Sequence, residues 1–261
     1  MSSLSKESVT QLSKVIETCM LAGIENVLIE NDPDGDVGQA VIRGINDDRT
    51  CLILSNNDVP TLGKEGKVLG LSRMNILRSR MNVLNGDDSF EVSVEVNNKN
   101  EVSVLHLNNS KAKTQFRCAS PSIIKAPKAV NDEELAVINI KREDVPTIIS
   151  ASKAMGAKKF VLMCKKNAEG SFEGFIEYYD ANQDAFSIKV ADNVDFVDEP
   201  ATFVYYYITD IFLSLVRKIE SSLPEGETDF PLIVGKNGTL RLIINNHVII
   251  LIPQTNTQDG D

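Results

Sequence analysis

The chain has 261 residues, 42% of them hydrophobic, which is enough to fill two ordinary cores. Its net charge of −10 argues against a surface that coats nucleic acid uniformly. No stretch approaches the roughly 20 apolar residues of a bilayer span, and the polar opening MSSLSKESVTQLSK lacks a signal-peptide core, so a soluble intracellular protein without a membrane partner is expected.

Val9, Leu12, Val15, Ile16, Cys19 and Met20 recur at helical spacing and predict a helix over 4–21. Strands follow at Asn26–Glu30, Ala40–Ile45 and Thr50–Ser55, separated by DPDGDVG and NDDR turns. A turn at Gly63–Gly66 and a strand at Lys67–Leu69 lead into a second helix, Leu71–Leu84. Strands Phe90–Val96, Glu101–Leu107 and Lys111–Arg117 complete a first domain, 1–117. Residues 118–134, with Pro121, Pro127 and an acidic end, break the periodicity and read as an inter-domain connector. The second domain, 135–253, repeats the order. A strand at Leu135–Ile140 precedes a helix at Arg142–Met155. Strands are then expected at Lys159–Lys166, Phe172–Tyr179, Ala185–Val190 and Ala201–Tyr207, followed by a helix at Thr209–Ser222. Strands Pro231–Val234, Thr239–Asn245 and His247–Ile252 close it, and the polar tail 254–261 is expected to be mobile.

The two halves also align by residue. Leu4–Leu12 lines up with Ile140–Ile148, the helix beginning at Leu71 with the one at Ile208, and Val102 and Val104 with Leu240 and Leu242. A repeat of this length is a whole domain. The fold class expected is therefore α+β, two tandem copies of one domain with mostly antiparallel sheets and two helices each. Such a duplication points to a symmetric frame rather than an active site.

The chemistry-bearing residues agree with that. His106 and His247 both fall in strand-like patterns, and no Ser-His-Asp or Cys-His arrangement is implied. Asp32, Asp34 and Asp36 imitate a calcium loop, but Gly35 and Arg43 stand at the wrong positions, and a solvated hairpin fits better. Cys19, Cys51, Cys118 and Cys164 are scattered without a CxxC pair and read as reduced thiols. No enzyme activity, metal or cofactor is expected.

The helix LSRMNILRSRMNVL carries the functional signal. Met74, Leu77, Met81 and Leu84 form one apolar face, with Ser72, Asn75, Ser79 and Asn82 opposite. Arg73 and Arg80 flank one edge and Arg78 the other, without an acidic residue in the segment. Two readings stand: a solvated helix, or arginines placed for sequence-independent contact with phosphates. The four predicted helices are net positive together, so the rest of the chain carries more than the whole net charge of −10.

The end of the chain, DFPLIVGKNGTLRLIINNHVIILIP, contains Asp229-Phe230-Pro231-Leu232, then Gly238-Thr239-Leu240, then Ile250-Leu251-Ile252-Pro253. It resembles the closing strands of the DNA polymerase sliding clamps, of the proliferating cell nuclear antigen type and their bacteriophage relatives. Upstream, Ile45-Asn46-Asp47-Asp48-Arg49 and Leu69-Gly70-Leu71 with Met74, Leu77 and Arg78 are similar to that family's acidic turn and second pore helix. Ile252 and Ile250 depart from the family's small and aromatic residues at those positions.

The resemblance implies a closed ring around double-stranded DNA, sheets outside and helices lining the hole. Two domains per chain imply a homotrimer that serves a DNA polymerase and a clamp loader at sites of replication, in a host cell if the protein is viral. By the same resemblance, Lys6, Lys14, Arg73, Arg78, Arg80, Arg142, Lys153, Arg217 and Lys218 face the duplex. Lys113, Gln115, Phe116 and Arg117 of one chain meet Phe186 and Ile188 of its neighbour. Ile45, Ile123, Ile124, Pro127, Pro231, Ile250, Ile252 and Pro253 form a pocket for partner peptides. Two prolines around Ile123 and Ile124 leave apolar surface to be covered, either by a partner or by the connector's own domain. The competing reading is a β-rich tandem-domain structural or adaptor protein, for example of a bacteriophage, without DNA contact. It keeps the duplication but has no need for arginines on a helix lacking acids.

Overall fold

The computed structural model describes residues 2–31, 40–55, 58–62, 66–127 and 130–255. The run Asp32–Asp36, the turn at 63–65 and the tail beyond 255 lie outside the described residues. The chain divides into two units, Met1–Val130 with Asn245–Val248 and Asn131–Ile244 with Ile249–Asp261.

In the first unit a short strand, β1 (Ser2–Ser3), leads to α1 (Lys6–Leu21). Ser5 caps that helix: its backbone is extended and its hydroxyl accepts the Ser8 N–H at 3.1 Å. The helix stops where Gly23 takes a φ of 66°, so that the Ile24 N–H closes on the Cys19 carbonyl at 2.9 Å. Then come β2 (Val27–Asn31), β3 (Ala40–Ile45), β4 (Cys51–Ser55), β5 (Val68–Leu71), α2 (Met74–Leu84), β6 (Glu91–Val96), β7 (Glu101–Asn108) and β8 (Lys113–Arg117). Within this unit the strand order is β1-β6-β7-β5-β2-β3-β4, with β8 laid on the remainder of β7. Neighbours run antiparallel except β5 and β7, which share a short parallel register. Leu12, Val15, Ile16 and Cys19 of α1 and Met74, Leu77, Met81 and Leu84 of α2 are buried, as are Ile29, Ile42, Ile53, Val92 and Leu105 of the sheet.

Strand β8 corrects one sequence expectation. Lys113, Gln115 and Arg117 are exposed, but Phe116 is only 1% exposed. The period of two along a strand turns that ring into its own unit's core, so its side chain is not an exposed contact as the resemblance implies.

The second unit contains β9 (Glu134–Lys141), α3 (Val145–Met155), β10 (Lys159–Lys166), β11 (Phe172–Tyr179), β12 (Ala185–Ala191), β13 (Asp195–Phe196), β14 (Phe203–Ile208), α4 (Thr209–Ser222), β15 (Asp229–Gly235) and β16 (Leu240–Ile244). One sheet runs β16-β15-β9-β13 and the other β12-β11-β10-β14. Phe160 centres an aromatic core, 4.2 Å from the Phe212 ring centroid and 5.3 Å from that of Tyr207. The turn after β15 is built around Asp132, whose carboxylate accepts from the Asn237 N–H at 2.9 Å and the Thr239 hydroxyl at 2.7 Å. Those bonds outweigh its partial burial and hold its pKa below the usual carboxylate value. Gly238 closes the turn at φ 83°, where a Cβ would lie 2.5 Å from the Tyr205 ring. Ile188 of β12 is 8% exposed, so it too faces its own core, while Phe186 is 42% exposed.

Asn245 and Asn246, with φ of 52° and 66°, turn the chain into β17 (His247–Leu251). The His247 ring is buried in the first unit, with Nδ1 3.3 Å from the Ser55 hydroxyl. Loss of water holds its pKa down to about 4, with Asp58 opposing and Lys14 adding to the effect.

Two measurements follow from this packing. The folded state keeps His247 neutral, whereas an unfolded histidine titrates near 6.5. Its contribution is therefore complete above pH 6.5 and is lost as pH falls toward 4. Between pH 7 and 5 this group should cost wild type about 2 kcal/mol that a His247→Gln variant does not lose. Parallel urea-stability profiles for the two proteins would contradict the assignment. Phe116→Ala should destabilise the first unit by about 3–5 kcal/mol, and Phe186→Ala should leave chain stability within about 1 kcal/mol of wild type. Equal losses would mean that Phe116 is not a core residue.

Candidate functional site

In the first unit, the basic side chains assigned to DNA do not all stand in the same environment. Lys6 is exposed at the start of α1. Lys14 lies 3.9 Å from Asp58, and Arg78 reaches from α2 to Glu17 of α1 at 4.0 Å. The acid missing from the α2 sequence is thus supplied by its neighbour, and these half-exposed pairs add little stability.

Arg73 and Arg80 behave differently. Arg73 is the residue before α2, held in the left-handed region at φ 53°. Its Nη2 donates to the Arg117 carbonyl at 2.9 Å, and its guanidinium lies 5.2 Å from the centre of the Phe116 ring. Arg80 Nη1 donates to the Gln115 carbonyl at 2.5 Å. Both arginines therefore end on the backbone of β8. The Cys118 N–H pairs with the Ser103 carbonyl at 2.9 Å, so with the β7–β8 register the even-numbered residues of β8 bond to β7. The carbonyls of Gln115 and Arg117 point the other way, to the outer edge of the sheet.

The outward face of α2 holds Asn75, Ser79 and Asn82, as the sequence predicts, and also Ile76 at 39% and Val83 at 79% exposure. Sequence reading passes over these two, because two isolated apolar residues on a polar face carry no periodic signal.

In the second unit Arg142 lies in a short 3-10 turn ahead of α3, and its Nε donates to Glu220 of α4 at 3.2 Å. Lys153 is exposed on α3, and on α4 Arg217 is exposed and Lys218 half-buried. Among the described residues, strand β12 pairs only with β11. The Asp180–Asp184 bond and the register make Phe186 and Ile188 the residues bonded to β11, leaving the backbone groups of Ala185, Ser187 and Lys189 on the outer edge.

The residues assigned to a peptide pocket fall in both units. In the first, Ile45 and Pro127 are half-buried and Ile123 is 72% exposed in the 3-10 turn Pro121–Ile123. Ile124 packs over Gly70 of β5, where a Cβ would meet its Cδ1 at 2.8 Å, and the adjacent Ala119 N–H donates to the Gly70 carbonyl at 2.9 Å. Ile124 thus fastens the connector to its own unit, while Ile123 presents apolar surface. In the second, Pro231 is exposed, Ile250 is 4% exposed, and Ile252 and Pro253 are half-buried. Ile250 is therefore a core side chain.

His106 Nε2 lies 3.1 Å from Glu95 on the sheet surface. All four cysteines are free, and burial pushes the thiols of Cys51 and Cys118 up to about 12 and that of Cys164 to about 11. Among the described residues, no helix is long and apolar enough to cross a membrane.

Comparison with protein-family models gives no match, and neither does comparison with curated proteins. Comparison with solved structures does. A. fulgidus PCNA, in a structure with the C-terminal region of FEN-1 bound, superposes with a TM-score of 0.64 at 15% identity, over 95% of this chain and 97% of that one. Proliferating cellular nuclear antigen from Entamoeba histolytica gives 0.64 at 12% identity, over 97% and 98%. Thermococcus kodakaraensis PCNA gives 0.62 at 8% identity, again over 97% and 98%. From end to end, the chain has the fold of the PCNA-type sliding clamps.

Proposed function

We propose that this protein is a non-enzymatic sliding clamp, whose copies close into a ring around duplex DNA and tether a DNA polymerase for processive synthesis. The observation that carries the reading is the charge distribution on this fold. The chain is net −10, yet the helix pairs α1–α2 and α3–α4 together with Arg73 and Arg142 are net positive. A negative body whose helices taken together are positive, through Arg73, Arg78 and Arg80 at α2 and Lys153 on α3, suits DNA threaded past those helices. Lys6, Lys14, Arg78, Arg142, Lys153, Arg217 and Lys218 are the proposed phosphate contacts of each chain. Contact through such residues is independent of sequence and allows sliding.

Two units per chain and three chains supply six similar domains, and a homotrimer is the assembly proposed. Its seam joins the outer edge of β8 to the outer edge of β12 in the next copy by backbone hydrogen bonds, with Lys113, Gln115, Arg117 and Phe186 alongside. Support comes from the two unpaired edges themselves, since an open edge pairs readily with another strand. It also comes from the structural likeness to a PCNA2–PCNA3 complex from Sulfolobus tokodaii, with a TM-score of 0.60 at 12% identity. The A. fulgidus relative with bound FEN-1 supports a role in holding partner peptides. Ile123, with Pro127 of the same unit, is the apolar surface proposed for them. A clamp loader that opens the ring, and action at replication sites, belong to the same proposal.

Two experiments test it. Arg78→Ala, Lys153→Ala and Arg217→Ala combined should weaken duplex binding about tenfold and flatten its salt dependence, without changing the mass of the assembly. An unaltered salt slope would remove these residues from the DNA face. Ser187→Pro removes an outward donor from β12 and should give monomers, whereas Ser187→Ala, which keeps the N–H, should assemble as wild type does. A Ser187→Pro protein that runs at the wild-type mass would place the seam elsewhere.

A further inference from the structure

The two arginines that reach β8 do something that neither a pore lining nor a solvated helix requires. Arg73 and Arg80 donate to the Arg117 and Gln115 carbonyls, two acceptors on the outer edge of β8. An edge carbonyl exposed to water needs no such partner, and Arg73 adopts a left-handed backbone at φ 53° in making the contact. At 100° per residue, Ile76, Arg80 and Val83 share one flank of α2, and Arg73 immediately precedes its first turn, so the exposed Ile76 and Val83 lie on the flank that carries Arg80.

We propose that Arg73 and Arg80 are a removable cap on the β8 edge, exchanged for the β12 strand of a second copy when the ring forms. This rests on the reading that β8 and β12 form the seam. In the separate chain the guanidiniums occupy the acceptors that a pairing strand needs, which protects the edge from indiscriminate pairing. When the outward N–H groups of β12, among them that of Ser187, take those carbonyls, the two guanidiniums are released. Ile76 and Val83 are then covered by the second copy, and the freed positive charges become available to phosphates. Assembly and DNA binding are thereby linked: duplex DNA holds the arginines in the released position and so favours the closed seam, and the closed seam raises affinity for DNA.

The test is sedimentation equilibrium of the full chain, with and without a short duplex, on wild type and on Arg73→Asn/Arg80→Ala. Asparagine tolerates the left-handed backbone but is too short to reach Arg117. Without DNA the double variant should associate about tenfold more tightly than wild type, and the duplex should strengthen its association less than it does for wild type. Arg80→Ala alone should shift association about threefold in the same direction, which keeps the test intact if the double variant does not fold. Association that is unchanged or weakened in these variants without DNA would overturn the cap. A wild-type chain that stays monomeric at all concentrations, or a Ser187→Pro variant that assembles normally, would overturn the seam reading itself.

Discussion

The proposed assembly depends on how β8 and β12 leave their outward backbone groups. A strand that ends a sheet presents donors and acceptors at every second residue, and burying them unpaired costs about 1–3 kcal/mol each. In β8 those groups belong to Lys113, Gln115 and Arg117, and in β12 to Ala185, Ser187 and Lys189. Among the described residues, neither edge pairs with another strand within its own unit. The side chains on the same strands alternate accordingly. Phe116 and Ile188 anchor each strand in its own core, so each edge is held in place by its own unit, and on β8 the outward carbonyls of Gln115 and Arg117 are taken by Arg80 and Arg73. In the proposed seam, affinity between copies would come chiefly from main-chain geometry, with Phe186 an exposed aromatic on β12.

Charge is organised around the same scaffold. Each unit puts its apolar helix residues into the core and leaves basic residues such as Lys6, Lys153 and Arg217 exposed on its helices, while most of the acids lie outside the helices, Glu7, Glu17, Asp210 and Glu220 being on them. The ion pairs within the units, Arg78 with Glu17 and Arg142 with Glu220, are half-exposed and weak, so they restrain the side chains without neutralising the face. A face of this kind would suit the loose, register-free contact with a polyanion that the proposed sliding requires.

Much of this was legible in the sequence. The four helices and nearly every strand follow from periodicity, because the core faces of α1, α2 and α4 are unbroken and the turns carry Gly, Asn and Asp at the needed places. The short β1 and β13 escaped notice because two residues show no alternation. The site was legible in part. Basic residues on helices could be named, but their partners could not: Glu17 lies on another helix from Arg78, and Glu220 is far along the chain from Arg142. The destination of Arg73 and Arg80 depends on α2 lying beside β8, a tertiary fact. Connector residues Ile123 and Ile124 look equivalent in sequence, yet only packing against Gly70 distinguishes the anchored from the exposed one.

The central claim is that copies of this chain enclose DNA topologically. The direct measurement is retention on nicked circular plasmid after brief chemical cross-linking, followed through gel filtration before and after a single restriction cut. The account predicts a species of three 28.7 kDa chains that stays with the circle and is lost once the DNA is linear. Equal retention on circular and linear DNA, or a bound monomer, would contradict it.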